Sequence, residues 1–138
     1  MNVAFFLKPK SEVFYLKDDM PLALALNELQ RSGYTSVPVI DRDGNYVGSA
    51  SEGDFLCALA QTDGQHLQLT PAQDAETRRV RDILRPGRNS SGRIDEPAEV
   101  LVSRTAGQNF VPIVDDRGVF IGIVTRRNVI RYFLESLK

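Results

Sequence analysis

The sequence predicts an α/β protein built from a duplicated β-α-β-β-α unit, with two small sheets flanked by helices. Three observations predict it. Residues 37–54, VPVIDRDGNYVGSASEGD, and residues 111–128, VPIVDDRGVFIGIVTRRN, share one layout of strand, turn, strand and helix start. Val37 and Val111, Pro38 and Pro112, Asp41 and Asp115, Gly44 and Gly118, Gly48 and Gly122, Ser51 and Thr125, and Asp54 and Asn128 all stand 74 residues apart, which marks an internal duplication. Finally, 138 residues, 42% of them hydrophobic and 25% charged, have the composition of a compact soluble domain, and a domain near this size buries roughly 70% of the surface of its unfolded chain.

Residues 1–60 form the first repeat, 61–76 a polar connector and 77–138 the second repeat. Residues 2–8 read as a short helix or turn that Pro9 ends, and EVFYL, Glu12–Leu16, has the β-branched and aromatic content of a strand. Asp18 or Asp19 can cap a helix whose first turn tolerates Pro21. On that helix Leu22, Ala25, Leu26 and Leu29 share a face, and Gly33 supplies a left-handed stop. Tyr34–Ile40 reads as a buried strand, Asp43-Gly44 as a tight turn and Tyr46–Ala50 as the returning strand. Ser51 caps the next helix with Asp54 three residues on, and Phe55, Leu56 and Leu59 turn inward. Cys57, the single cysteine, falls in LCALA, where a small buried hydrophobe is expected.

The connector contains His66, the single histidine, with no ligand-spaced partner, so no metal site is expected. Arg78, Arg79, Arg81, Arg85, Arg88 and Arg93 then stand against one acid, Asp82, and Val80, Ile83 and Leu84 pack inward from that stretch. The second repeat follows with a strand near Ser91–Ile94, the helix EVLVSRTAG ended by Gly107, and a last helix from Thr125 that buries Val129, Ile130, Phe133, Leu134 and Leu137.

A net charge of −1 implies no general attraction to nucleic acid or to anionic membrane, and neither is expected as a partner. VAFFL is too short for a signal-peptide core and no apolar run reaches spanning length, so the cytoplasm is the expected compartment. With one cysteine, one isolated histidine and no glycine-rich phosphate loop, the chain offers no catalytic constellation and is expected to bind rather than turn over its ligand.

The informative chemistry lies at Gly122-Ile-Val-Thr125-Arg126-Arg127-Asn128, where a strand delivers a hydroxyl to a helix cap and an amide one turn later. Such a pair can bond the hydroxyls of a ribose, while free helix N–H groups face an anion. Two arginines in a helix's first turn oppose the macrodipole by about 0.3 to 1 kcal/mol. A local rule broken twice in adjacent positions points to a compensating anion. The competing reading pairs these arginines with Glu12 or Asp116. Ser51-Glu52-Gly53-Asp54 instead places acids where the dipole favours them and reads as an ordinary capping box.

With these motifs in register across nearly the whole chain, the sequence resembles a tandem pair of cystathionine-β-synthase (CBS) domains, a Bateman module. It is most similar within that family to small bacterial proteins that bind cyclic di-AMP, through GYTSVPVID at Gly33–Asp41 and TRRNVIRYF at Thr125–Phe133. The resemblance implies a stand-alone, non-enzymatic sensor with a ligand between its repeats and an unidentified protein that it regulates. It implies adenine held around Phe14, Thr35 and Ser36, with Thr125, Arg126, Arg127 and Asn128 taking phosphate and ribose. A mirror position would use Ser51 and Asp54 with Asn109 and Phe110, closed to dinucleotides by the Phe110 ring and Glu52. Glu12 and Phe14 stand where the family's cyclic di-AMP binders carry a basic and a small residue, and Asn128 replaces the commoner Asp. AMP, ADP or ATP is therefore the alternative ligand, and a ligand-free scaffold with Phe14 filling the pocket is the alternative class. CBS pairs usually stack face to face, so a homodimer is expected through Leu22, Leu26, Phe133 and Leu137.

Overall fold

A computed structural model describes residues 3–62, 67–69, 76–85 and 87–137. His66, Pro86 and most of the connector lie outside the described residues. The fold is mixed α/β, with a sheet in the order β1-β9-β8-β7, a second in the order β2-β3-β4 and a two-stranded β5-β6 ribbon. These strands are β1 (Leu7–Pro9), β2 (Leu16–Lys17), β3 (Ser36–Ile40), β4 (Tyr46–Ser51), β5 (Ala60–Thr62), β6 (Leu67–Leu69), β7 (Gly92–Arg93), β8 (Phe110–Val114) and β9 (Phe120–Thr125). The helices are α1 (Leu22–Ser32), α2 (Glu52–Leu59), α3 (Ala98–Arg104) and α4 (Arg126–Ser136).

Two compact units form. The first holds Met1–Val13, Asp43–Tyr46 and Asn89–Lys138, and the second holds Phe14–Arg42 and Val47–Arg88.

In the first unit, β1 pairs antiparallel with β9, Leu7 opposite Val124 and Pro9 opposite Gly122. Residues 2–8 read as a helix or turn; among those described, only Val3–Phe5 is helical, as a single 3-10 turn, and the segment then joins the sheet. Gly122 allows this approach, because a Cβ there would overlap the Lys8 carbonyl oxygen. Val3, Phe6, Ala98, Leu101, Val111, Ile113, Val124 and Val129 form the core. Asp115 closes the β8–β9 turn by accepting from the Val119 and Arg117 backbone N–H groups at 3.0 and 2.8 Å. These bonds, the Val119 amide first and Arg117 after it, hold its carboxyl below the usual value despite some desolvation.

In the second unit, β2 runs parallel to β3, Leu16 opposite Val39 and Lys17 opposite Ile40. The strand expected over Glu12–Leu16 is therefore only two residues long, since Lys10–Glu12 turns as a 3-10 helix before it. Leu22, Ala25 and Leu29 of α1 join Leu16, Val37, Val39, Ala50, Phe55 and Val80 in the core. Gly33 ends α1 at φ +79°, the left-handed region that suits glycine. Pro21, not Asp18 or Asp19, stands at the N-cap, and no side chain caps the helix. The Leu22 N–H instead donates to the Arg78 carbonyl at 3.0 Å, so a later segment satisfies this helix end. Val80 continues that segment as a 3-10 turn with Ile83 and Leu84 packed inward.

Several side chains expected inside face outward. Leu56 is 66% exposed, because Phe55 and Leu59 mark the inward face of α2 and Leu56 stands about 100° around from Phe55. Cys57 is exposed for the same reason. On α4 only Val129 is buried, with Tyr132 packed against the core. Ile130, Phe133, Leu134 and Leu137 are exposed and form a second apolar stripe. Leu22, expected at a dimer surface, is fully buried in its own unit. Gly107 does not stop α3 in a left-handed turn: the helix ends at Arg104, and Thr105 follows in right-handed helical geometry.

Candidate functional site

Strand β9 ends at Thr125, whose extended backbone (φ −104°, ψ 147°) makes it the N-cap of α4. Its Oγ1 accepts from the Asn128 N–H at 3.0 Å, the cap bond expected from a threonine followed three residues later by a polar side chain. The Arg126 N–H donates to the Asn109 carbonyl at 3.0 Å, and the Arg126 Nε donates to the Thr105 carbonyl at 2.7 Å. Arg126 and Arg127 form no ion pair among the described residues. Pairing with Glu12 or Asp116 is thus not what holds them.

Asn109, Thr125, Arg126, Arg127 and Ile130 line an open depression of about 360 Å³. Asn128 lies one turn into the helix, half-buried, and its side-chain amide has no partner among the described residues. The depression therefore presents a cap hydroxyl, two cations and a positive helix end. Chemically it suits an anion carried beside hydroxyl groups. Asn109, which the resemblance assigns to the mirror position, lines this depression beside Thr125.

The remaining predicted residues belong to the second unit. Phe14 is half-buried against the core, its ring 6.3 Å from Tyr34 at an interplanar angle of 28°. Thr35 is exposed, and its carbonyl accepts the Glu52 N–H at 2.9 Å; Ser36 opens β3 and is half-buried. Ser51 and Asp54 form a reciprocal capping box at the start of α2. The Asp54 side chain is 2% exposed and is held by Arg88 Nη1 at 2.7 Å and by Arg85 Nε at 3.3 Å. Both arginines stand in the basic run, and nothing in the sequence marks either as a partner of Asp54. Their spacing from Asp54, 31 and 34 residues, carries no local signal. Among the described residues no group of His, Cys, Asp and Glu could hold a metal ion, and no helix is long and apolar enough to cross a membrane.

Residues 6–61 and 93–135 match the CBS domain family. The chain belongs to this family. Like its solved relatives, this CBS-domain chain forms the Bateman-module fold. It superposes on CbpB in complex with c-di-AMP with a TM-score of 0.86 at 23% identity, covering 99% of this chain and 87% of that one. It superposes on CBSX2 in complex with AMP, a protein of Arabidopsis thaliana, with a TM-score of 0.75 at 27% identity, covering 99% and 98%. A-adding tRNA nucleotidyltransferase of Aquifex aeolicus is 29% identical over 125 residues. Those residues cover 91% of this CBS chain but 14% of the length of that protein.

Proposed function

We propose that this CBS-pair regulatory module is an adenine-nucleotide sensor whose ligand is cyclic di-AMP, and that ligand occupancy regulates a partner protein without chemical turnover. The observation that carries the reading is the start of α4. Thr125, Arg126 and Arg127 line one depression, with both cations in the helix turn where they are least favoured and with no ion pair to either among the described residues. A bound phosphate offsets that cost, and Asn128 offers to ribose hydroxyls an amide that is unpaired among the described residues. In the same reading Phe14, Thr35 and Ser36 recognise the base, the Phe14 ring by stacking worth about 1 to 3 kcal/mol. AMP is the second reading, favoured by the neighbour at 27% identity that holds AMP. A ligand shifts a partner-binding equilibrium only by its differential affinity for the two states of the module.

Thermal denaturation with cyclic di-AMP, cyclic di-GMP, AMP or ATP tests this. A ligand at about 100 times its Kd adds roughly 2.7 kcal/mol, a shift on the order of 10 °C at this size. Cyclic di-AMP alone is expected to give it. A shift with AMP alone replaces the ligand and keeps the site. No shift with any of them leaves the interaction-scaffold reading.

The exposed stripe of Ile130, Phe133, Leu134 and Leu137 is proposed to be covered by a second copy of the chain. Light scattering is expected to give twice the chain mass, falling to one chain in Phe133→Asp. A monomeric parent protein would rule the homodimer out.

A further inference from the structure

The 74-residue repeat puts Ser51 and Asp54 where Thr125 and Asn128 stand in the other copy. Both pairs open a helix in the same way, with the third-residue N–H donating to the cap hydroxyl at 3.2 Å for Asp54 and 3.0 Å for Asn128. They differ in what the third side chain has left to offer. The Asn128 amide is unpaired among the described residues, whereas the Asp54 carboxylate is fully engaged. Its Oδ2 accepts from the Ser51 N–H at 3.0 Å and from Arg88 Nη1 at 2.7 Å. Its Oδ1 accepts from Arg88 Nη1 at 2.8 Å and pairs with Arg85 Nε at 3.3 Å. A carboxylate has about four acceptor directions, and three donor groups, the Ser51 N–H, Arg88 Nη1 and Arg85 Nε, already crowd them. The same Nη1 reaches the Ser51 Oγ at 3.3 Å.

One guanidinium therefore lies across both groups that the other repeat leaves available. The acid beneath it is buried, while the Arg88 side chain is 34% exposed and open to solvent. Ser49, two residues before Ser51 and hence on the same face of β4, has a buried hydroxyl with no hydrogen-bond partner among the described residues. Unpaired buried hydroxyls are rare, and this one marks a polar partner that the described residues do not supply.

We propose that Arg88 is a self-inhibitory latch that covers Ser51 and Asp54 and closes them to the vicinal diol of a nucleoside, so that the module is asymmetric. Glu52, in the first turn of the same helix, disfavours phosphate there. The ligand class admitted when the latch opens is thus an uncharged nucleoside, with adenosine as its probe. This inference rests on reading Thr125 and Asn128 as a ribose-binding pair.

The test is calorimetric titration of the full chain and of its Arg88→Ala and Arg88→Gln variants with adenosine, 2′,3′-dideoxyadenosine and, in parallel, cyclic di-AMP. Each variant is expected to bind one more equivalent of adenosine per chain than the parent. That equivalent is expected to vanish with the dideoxy nucleoside and in Asp54→Ala/Arg88→Ala, while cyclic di-AMP binding stays unchanged. An unchanged adenosine count in folded variants overturns the latch. So does a gained equivalent that ignores the missing hydroxyls, or failure of both variants to fold, because a latch is dispensable for folding. Absence of cyclic di-AMP binding in the parent protein would remove that ligand from the α4 site and leave the adenosine count to decide the latch.

Discussion

Replacing Arg126 and Arg127 together by alanine is expected to lower nucleotide affinity by at least about 100-fold while changing the stability of the ligand-free protein by no more than about 1 kcal/mol. The affinity follows from charge: a hydrogen bond to an ionised group contributes about 1.5 to 3 kcal/mol, and each 1.4 kcal/mol is tenfold in binding. The stability follows from two opposed effects. Removing two cations from the first turn of α4 relieves about 0.3 to 1 kcal/mol each, whereas losing the Arg126 Nε bond to the Thr105 carbonyl forfeits a comparable amount. Arg127 has no such bond among the described residues, so Arg127→Ala alone is expected to raise the melting temperature slightly while weakening the ligand. Calorimetry gives the affinity and thermal denaturation without ligand gives the stability. An affinity loss below about tenfold in a folded double variant would remove α4 as the phosphate site.

Phe55→Ala is expected to cost about 3 to 5 kcal/mol, the range for emptying a buried phenyl site. Phe55 is 0% exposed and packs among Leu16, Leu22, Leu29, Val37, Val39 and Val80. It follows Asp54 directly, so the side chain that anchors α2 to the core also fixes where Ser51 and Asp54 stand. The expected fall in Tm is on the order of 10 to 20 °C for a chain of this size. Leu56→Ala, one residue on and 66% exposed, is the control and is expected to change stability by less than about 0.5 kcal/mol. Equal losses at the two positions would show that α2 packs in a different register.

Much of the fold was legible because it is written in local chemistry. Gly33 needed a left-handed φ, and Asp54 three residues after Ser51 announced a capping box. The apolar runs at 36–40 and 110–114 could be little other than buried strands. Thr125 and the two arginines were legible for the same reason, since a cation in a first helical turn breaks a rule that operates within that turn. Periodicity misled on α4 because two apolar stripes share one helix: Val129 and Tyr132 turn inward, while Ile130, Phe133, Leu134 and Leu137 do not. A hydrophobic pattern records how many faces are apolar, not which of them a neighbour covers.

The duplication, the CBS fold, the two helix caps and the contrast between a basic and an acidic first turn are all readable from residues within a few positions of one another or from repetition at a constant spacing. Tertiary structure alone decided that Leu7–Pro9 joins the sheet beside β9, that Arg78 supplies the acceptor for the start of α1, and that Arg85 and Arg88 close over Asp54. These pairings join residues separated by 31 to 117 positions. At such distances no local propensity specifies a partner, and only the packed core brings the groups within hydrogen-bonding range.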